Sequence, residues 1–207
     1  MTKPPIGRDT RLCMSLSARP GNFGSRFHNR LYELTGLDFV YKSFSTTDLP
    51  AAVGGIRALN IRGCAISMPF KESVIALLDG LAPSAAAIDS VNTILNDDGV
   101  LTASNTDVEA VEELLHTHAV DSSLPVVVRG SGGMAAAVAA AFHRAGFTDI
   151  TVWARNEPAG RELAERVAGR WAADEPTIDS ARLANVTPIG MAGPDEASHA
   201  VSGRAIE

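Results

Sequence analysis

The sequence predicts an α/β protein of two domains, and three observations carry that expectation. Short apolar runs alternate with stretches of helical period from residue 12 onward. A glycine-rich turn joins one β-branched run directly to an alanine-rich helical stretch at residues 126–145. A polar segment over residues 117–125 separates two differently patterned halves. Strands that alternate with helices return by crossovers, which implies a largely parallel sheet.

The elements follow in order. Leu12-Cys13-Met14-Ser15-Leu16 reads as a first strand, followed by a Pro/Gly-containing loop over residues 18–24 and a helix over residues 25–35. Phe39-Val40-Tyr41-Lys42-Ser43-Phe44 alternates with period two and reads as a second strand. Asp48 is a helix cap for residues 49–59. Gly63-Cys64-Ala65-Ile66-Ser67-Met68 is a third strand, ended by Pro69, which has no ladder donor. Helices are expected over residues 71–79 and again over residues 84–88. Residues 91–96 and 100–102 flank Asp97-Asp98-Gly99, a hairpin signal. A helix over residues 106–116 opens the second half. Beyond the polar segment, Val126-Val127-Val128-Arg129 runs into the glycine turn and a helix closed by Gly146. Residues 150–154 form the next strand and residues 160–167 the next helix, completing a βαβ unit. The domain boundary falls near residues 104–107, giving an N-terminal α/β domain over residues 1–104 and a second over residues 105–207.

Composition narrows the function classes. Hydrophobic residues make up 45% and charged residues 20% of the 207, values of an ordinary globular protein. The formal charge of -6 and the lack of any Lys/Arg cluster argue against nucleic acid as a partner, because phosphate neutralisation needs clustered cations. No charged-then-apolar signal pattern opens the chain, and no run approaches the roughly 20 apolar residues of a membrane span. Cys13 and Cys64 have no metal-ligand spacing and are expected as two reduced thiols of a cytoplasmic protein. His116 and His118, two apart, do not share a helix face, so no metal site is expected.

Gly130-Ser131-Gly132-Gly133-Met134-Ala135 sits between a strand and a helix, the setting in which G-x-G-x-x-A has a mechanism. The first glycine permits the tight turn and the second lets backbone approach a pyrophosphate. The small third position lets helix and strand pack closely, and helix N–H groups hold the phosphates. This predicts a Rossmann dinucleotide-binding domain. At the end of the next strand an NAD-binding protein places a carboxylate for the ribose 2′-hydroxyl. Here Ala154-Arg155-Asn156 stands there, with no acid before Glu157. Arginine pairs with a 2′-phosphate that a carboxylate repels, so the cofactor is expected to be NADP. Trp153 reads as core or adenine-side packing.

In the first half, Lys71 follows a strand end and opens the expected helix, where the helix dipole disfavours a cation. A residue that breaks a local rule is a functional suspect. Asp107 sits near a helix start, where a carboxylate is welcome. A Lys71–Asp107 pair can pass a proton during carbonyl reduction, with Asp107 keeping the lysine charged. On residue chemistry alone, Lys71 also reads as a solvated lysine and Asp107 as a helix-end charge. Likewise Ser15 and Ser17 read as loop caps and Asn92 as a strand-edge group.

The ordered phrases Ser15-Leu16-Ser17, Ser67-Met68-Pro69-Phe70-Lys71, Ser90-Val91-Asn92-Thr93-Ile94 and Asn105-Thr106-Asp107 resemble the successive motifs of shikimate dehydrogenase. The glycine turn, Ala154-Arg155-Asn156 and Asn185-Val186-Thr187-Pro188-Ile189-Gly190-Met191 are similar to its nucleotide-domain motifs. The resemblance covers residues 12–191. It implies NADP-linked interconversion of 3-dehydroshikimate and shikimate, with Lys71 and Asp107 as the catalytic pair. Ser15 and Ser17 are then implied to bind the substrate carboxylate, and Ser67, Asn92 and Asp107 the ring hydroxyls, with Thr106 grouped among the substrate-binding residues. The turn residues Gly130 through Ala135, with Arg155, are implied to bind NADP, and Asn185, Thr187 and Met191 to line its nicotinamide end.

Where the family has Asn-Val-Thr before Pro-Phe-Lys, this chain has Ala65-Ile66-Ser67. Its usual Asn-Arg-Thr is Ala154-Arg155-Asn156, and its early His-Ser element reads Cys13-Met14-Ser15. With the Arg19-Pro20-x-Asn22-Phe23-Gly24 run, these departures resemble the shikimate dehydrogenase-like subgroup and widen the expected substrate to related polyhydroxylated cyclic acids. The resemblance also implies a further strand and helices beyond Met191, so the second domain is expected to be C-terminally truncated, with a homodimer as one way to cover what that exposes. The competing expectation is an NADP-binding paralogue that senses a small molecule without turnover.

Overall fold

The computed structural model describes residues 3–176, 181–190 and 196–200. The chain divides into two compact units, Met1–Thr106 and Asp107–Glu207.

In the first unit the strands are β1 (Arg11–Leu16), β2 (Phe39–Phe44), β3 (Gly63–Ile66), β4 (Gly80–Leu81), β5 (Thr93–Asp97) and β6 (Val100–Ser104). They form one sheet in the order β2-β1-β3-β5-β6-β4. It is mixed rather than largely parallel. β1, β2 and β3 run parallel, but β5 pairs antiparallel with both β3 and β6. The turn accounts for the β5–β6 pair. Asp98 and Gly99 both take positive φ, 52° and 91°, the geometry of a two-residue hairpin, so β6 must return alongside β5.

Three helices belong to this unit: α1 (Phe23–Thr35), α2 (Leu49–Ala58) and the single turn α3 (Pro83–Ala86). Asp48 caps α2 as expected, its Oδ1 accepting from the Ala51 N–H at 2.9 Å. Alternation divides the sheet's faces. Met14, Leu16, Cys64, Ile66, Ile94 and Leu101 turn to one side and bury with Val53 and Ile56 of α2.

The helix expected over residues 71–79 does not form. Turns over residues 71–74 lead into one 3-10 turn, Ile75–Leu77, and then into β4. Long-range bonds take the backbone there instead. The Lys71 carbonyl accepts from Val91 N–H at 2.9 Å, and Asp79 N–H donates to the Leu101 carbonyl at 2.9 Å. Asp79 also receives the Leu101 N–H at 2.7 Å and pairs with Arg57 of α2 at 2.6 Å.

The second unit holds α4 (Thr106–Thr117), which begins on the last residue of the first unit, then β7 (Val126–Arg129), α5 (Gly133–Arg144), β8 (Ile150–Trp153), α6 (Glu157–Arg166), β9 (Arg170–Ala172) and β10 (Arg182–Asn185). The four strands are all parallel, in the order β10-β7-β8-β9. α6 starts three residues earlier than expected. Asn156 accepts from the Ala159 N–H at 3.3 Å and Pro158 occupies the first turn, a start signal that the apolar pattern conceals. Val126, Val128, Ile150 and Val152 pack beneath α5 and α6 with Ala135, Val138, Phe142 and Leu163.

Candidate functional site

The second unit carries the better-defined site. β7 delivers its chain to Gly130, whose φ of 127° is accessible to glycine alone at little cost. A Cβ there would lie 3.2 Å from the Val186 carbonyl oxygen and 3.3 Å from the Val186 Cγ2. The strand ladder continues through this point on both sides, with Gly130 N–H donating to the Trp153 carbonyl at 2.9 Å and Val186 N–H to the Arg129 carbonyl at 3.0 Å. Gly132 and Gly133 differ from Gly130, because a Cβ at either position meets nothing within 4 Å. Their lack of a side chain leaves open space at the start of a 12-residue helix, where N–H groups face outward. Ala135, fully buried, lets α5 settle onto the sheet.

A cavity of about 580 Å³ opens at this point, lined by Arg129 to Gly132, by Trp153 to Asn156 and by Val186 to Ile189. Its shape suits a dinucleotide: glycine backbone and a helix N-terminus on one side, strand ends on the other. Among the described residues no carboxylate lines it. Glu157, the first acid after β8, pairs instead with Arg161 along α6 at 2.8 Å. Arg155 is exposed at the rim.

Of the residues expected to hold the cofactor, Gly130, Ser131, Gly132, Arg155 and Thr187 line this cavity, and Gly133 begins the helix beside it. Met134 is exposed and is not among the lining residues. Asn185 does not line it either. Its Oδ1 accepts from the Thr187 N–H at 3.2 Å and hydroxyl at 2.7 Å, and its Nδ2 donates to the Ile189 carbonyl at 3.4 Å, so it shapes the loop that does. Met191 lies outside the described residues. Arg129, Pro188 and Ile189 line the cavity without having been expected.

In the first unit the expected substrate residues gather at one end of the sheet. Ser67 N–H donates to the Leu16 carbonyl at 2.9 Å and Ser17 N–H to the Phe44 carbonyl at 3.2 Å, which places Ser17 and Ser67 on neighbouring strand ends. Ser15 lies between Ser43 and Ala65 in the sheet. The Asn92 backbone joins the same end by accepting from Ile66 N–H at 2.7 Å. Asn92 Oδ1 accepts from three donors: Thr106 N–H at 2.9 Å, Thr106 hydroxyl at 3.2 Å and Thr93 hydroxyl at 3.0 Å. A backbone N–H can only donate, so the atom facing Thr106 must be the amide oxygen. Asn92 thus satisfies an orphan N–H at the start of α4 and aligns the Thr106 hydroxyl. Asn105 is a buried clasp, its Nδ2 donating to the Ser90 carbonyl at 2.9 Å.

Lys71 is half-buried in a turn, not at a helix start, so the helix-dipole argument for singling it out does not apply. Asp107 does occupy the first turn of α4. His28 stacks on Tyr41 with ring centroids 4.3 Å apart. Burial pushes the Cys64 thiol up to about 12, with Cys13 nearby adding to the shift, and neither cysteine is disulfide-bonded. Among the described residues no cluster of His, Cys, Asp and Glu could hold a metal, and no helix is long and apolar enough to cross a membrane.

A mixed α/β unit followed by a parallel α/β unit with a glycine-lined cavity at its strand ends defines a two-unit α/β protein with a Rossmann-like second half. The profile of the shikimate dehydrogenase substrate binding domain matches residues 23–94. A shikimate dehydrogenase-like protein of Haemophilus influenzae is 50% identical over 191 residues, covering 92% of this chain and 70% of its own length. A solved shikimate 5-dehydrogenase-like protein superposes with a TM-score of 0.94 at 47% identity, covering 98% of this chain and 76% of that one. The shikimate 5-dehydrogenase of Thermus thermophilus, solved with NADP(H) and shikimate, gives 0.76 at 30% identity over 87% of this chain and 69% of that one. The chain belongs to the shikimate dehydrogenase family, in its dehydrogenase-like subgroup. It spans 62–65% of the length of curated NADP(+) shikimate dehydrogenases to which it is 33–37% identical.

Proposed function

We propose that this protein is an NADP-dependent oxidoreductase interconverting 3-dehydroshikimate, or a related polyhydroxylated cyclic keto acid, and shikimate. The observation that carries the reading is the cavity behind Gly130, with open space over Gly132 and Gly133 and an arginine where a carboxylate would select NAD. Relatives sharing the fold are named as NADP(+) shikimate dehydrogenases. The backbone of residues 130–133 and the α5 N-terminus hold the pyrophosphate, and Arg155 pairs with the 2′-phosphate. The cofactor, when bound, exchanges a hydride with the ring carbon.

This chain's side chains do the rest. Ser15 and Ser17 donate to the substrate carboxylate, while Ser67 and Thr106 bond ring hydroxyls. With Asn92 Oδ1 occupied by three donors, its NH₂ is the part that serves the substrate. In the reducing direction the Lys71 ammonium gives a proton to the ketone oxygen as the carbon becomes an alcohol, and Asp107 keeps Lys71 charged and oriented. The same reading places the protein in the cytoplasm, where Cys13 and Cys64 stay reduced.

The test is reduced-cofactor absorbance with shikimate and either NADP or NAD. Turnover with NADP is expected, falling by about 10²–10⁴-fold in Lys71→Ala and Asp107→Ala while NADP binding persists. No turnover, together with an NADP-dependent rise in melting temperature, would instead favour a ligand-sensing paralogue.

A further inference from the structure

The cavity contains a second arginine that the NADP reading does not use. Arg129 ends β7 immediately before the glycine turn. Its guanidinium lies over the ring of Trp153, 4.1 Å from the centroid, where the β7–β8 register pairs the two residues. Both line the cavity, as does Arg155 two positions beyond Trp153. Among the described residues neither arginine has an ion-pair partner, although most other arginines of this unit do: Arg144 with Glu112, Arg161 with Glu157, Arg166 with Glu162 and Arg170 with Asp149. Two such guanidinium groups, with no carboxylate among the described residues of the cavity, leave positive charge that a bound anion would neutralise.

Strand alternation says which anion. Val126 and Val128 face α5, as do Ile150 and Val152. Arg129 and Trp153, one residue further along, face the opposite side of the sheet. Arg129 therefore lies over Trp153 on the face opposite α5, in the cavity that Arg155 also lines. Stacking on Trp153 fixes the guanidinium plane but leaves its edge N–H donors available, so little conformational freedom is lost on binding.

We infer that Arg129, held flat on Trp153, is a second recognition group for the cofactor's 2′-phosphate and shares with Arg155 the selection of NADP over NAD. This rests on the NADP reading above. The test uses the whole protein and two fragments, adenosine 2′,5′-bisphosphate and 5′-AMP, which differ only in the 2′-phosphate. Dissociation constants come from calorimetry for the wild type, Arg129→Met and Arg129→Lys, with melting curves to check folding. The wild type should prefer the bisphosphate by at least about tenfold, as one or two charge-assisted bonds supply. Arg129→Met should lose about tenfold for the bisphosphate and less than about threefold for AMP. Arg129→Lys, which keeps the charge without the fork, should fall between and serves if Arg129→Met does not fold. A wild type with no preference would sink the NADP reading itself. A normal wild-type preference that both variants retain, or an equal loss for both fragments, would overturn the role of Arg129 alone.

Discussion

Replacing Gly130 or Gly133 with alanine adds the same methyl group to one loop, yet the structure predicts opposite effects on stability. At Gly130 the backbone φ is 127°, and the new Cβ would sit 3.2 Å from the Val186 carbonyl oxygen. An L-residue held in such a conformation costs on the order of 1–3 kcal/mol, before any repacking against Val186. For a unit of about 100 residues each kcal/mol shifts the melting temperature by about 4–8 °C, so Gly130→Ala should lower it by roughly 5–20 °C. Gly133 is the first residue of α5, and a methyl there meets nothing within 4 Å. Gly133→Ala should leave the melting temperature unchanged or raise it slightly, by up to about 1 kcal/mol from reduced unfolded-state entropy and helix propensity. On the proposed NADP reading, binding should weaken in both, since that reading brings the phosphates to the backbone over Gly133. Calorimetric melting with and without NADP reads both quantities. If Gly133→Ala binds NADP as tightly as the wild type, that space does not belong to the cofactor. If Gly130→Ala melts normally, the close approach of Val186 is not a constraint.

Asn92 separates support from recognition. Asn92→Leu should cost about 1 kcal/mol by stripping the acceptor from the Thr106 N–H, and should also raise the KM for substrate. Asn92→Asp keeps that acceptor and loses only the NH₂, so stability should hold while KM still rises; an unchanged KM would remove Asn92 from the substrate site. His28 bears on pH. Burial lowers its pKa from the ordinary 6.5, so the native state binds fewer protons than the unfolded chain as pH falls below that value. Stability should therefore decline from pH 7.5 toward pH 5, and His28→Phe, which keeps a ring on Tyr41, should show a shallower decline. Equal slopes in urea melts would assign the pH dependence elsewhere.

Where local chemistry decides, the fold was readable from the sequence. Asp48 caps α2, Asp98-Gly99 turns the hairpin, and β7 and β8 lie where their β-branched runs stand. Where distant partners decide, it was not. Residues 71–79 carry enough helical pattern to suggest a helix, but their backbone groups pair with Val91 and Leu101, from which nearest-neighbour reasoning is blind. The direction of β5 against β3 escaped for a related reason: strand–helix alternation argues for parallel crossovers, and the hairpin signal sets β5 only against β6. β9 and β10 are three and four residues long, too short to announce a period.

The site divides along the same line. A glycine needed for close approach leaves a mark in the sequence, because the residue type itself states the constraint, and Gly130 was visible for that reason. Asn185 was also visible, but its side chain turned out to brace the loop instead of lining the cavity. Arg129 left no such mark. An arginine at a strand end is ordinary until the β7–β8 register sets it across from Trp153, and that pairing depends on the intervening chain, residues 130–152, folding as a βαβ crossover. Once a βαβ unit is assigned, however, its two strand ends are neighbours by construction, so a cation at one and an aromatic at the other can be tested as a pair. That rule would have found Arg129 from sequence, and it makes the Arg129→Met comparison a test of the rule as well as of the residue.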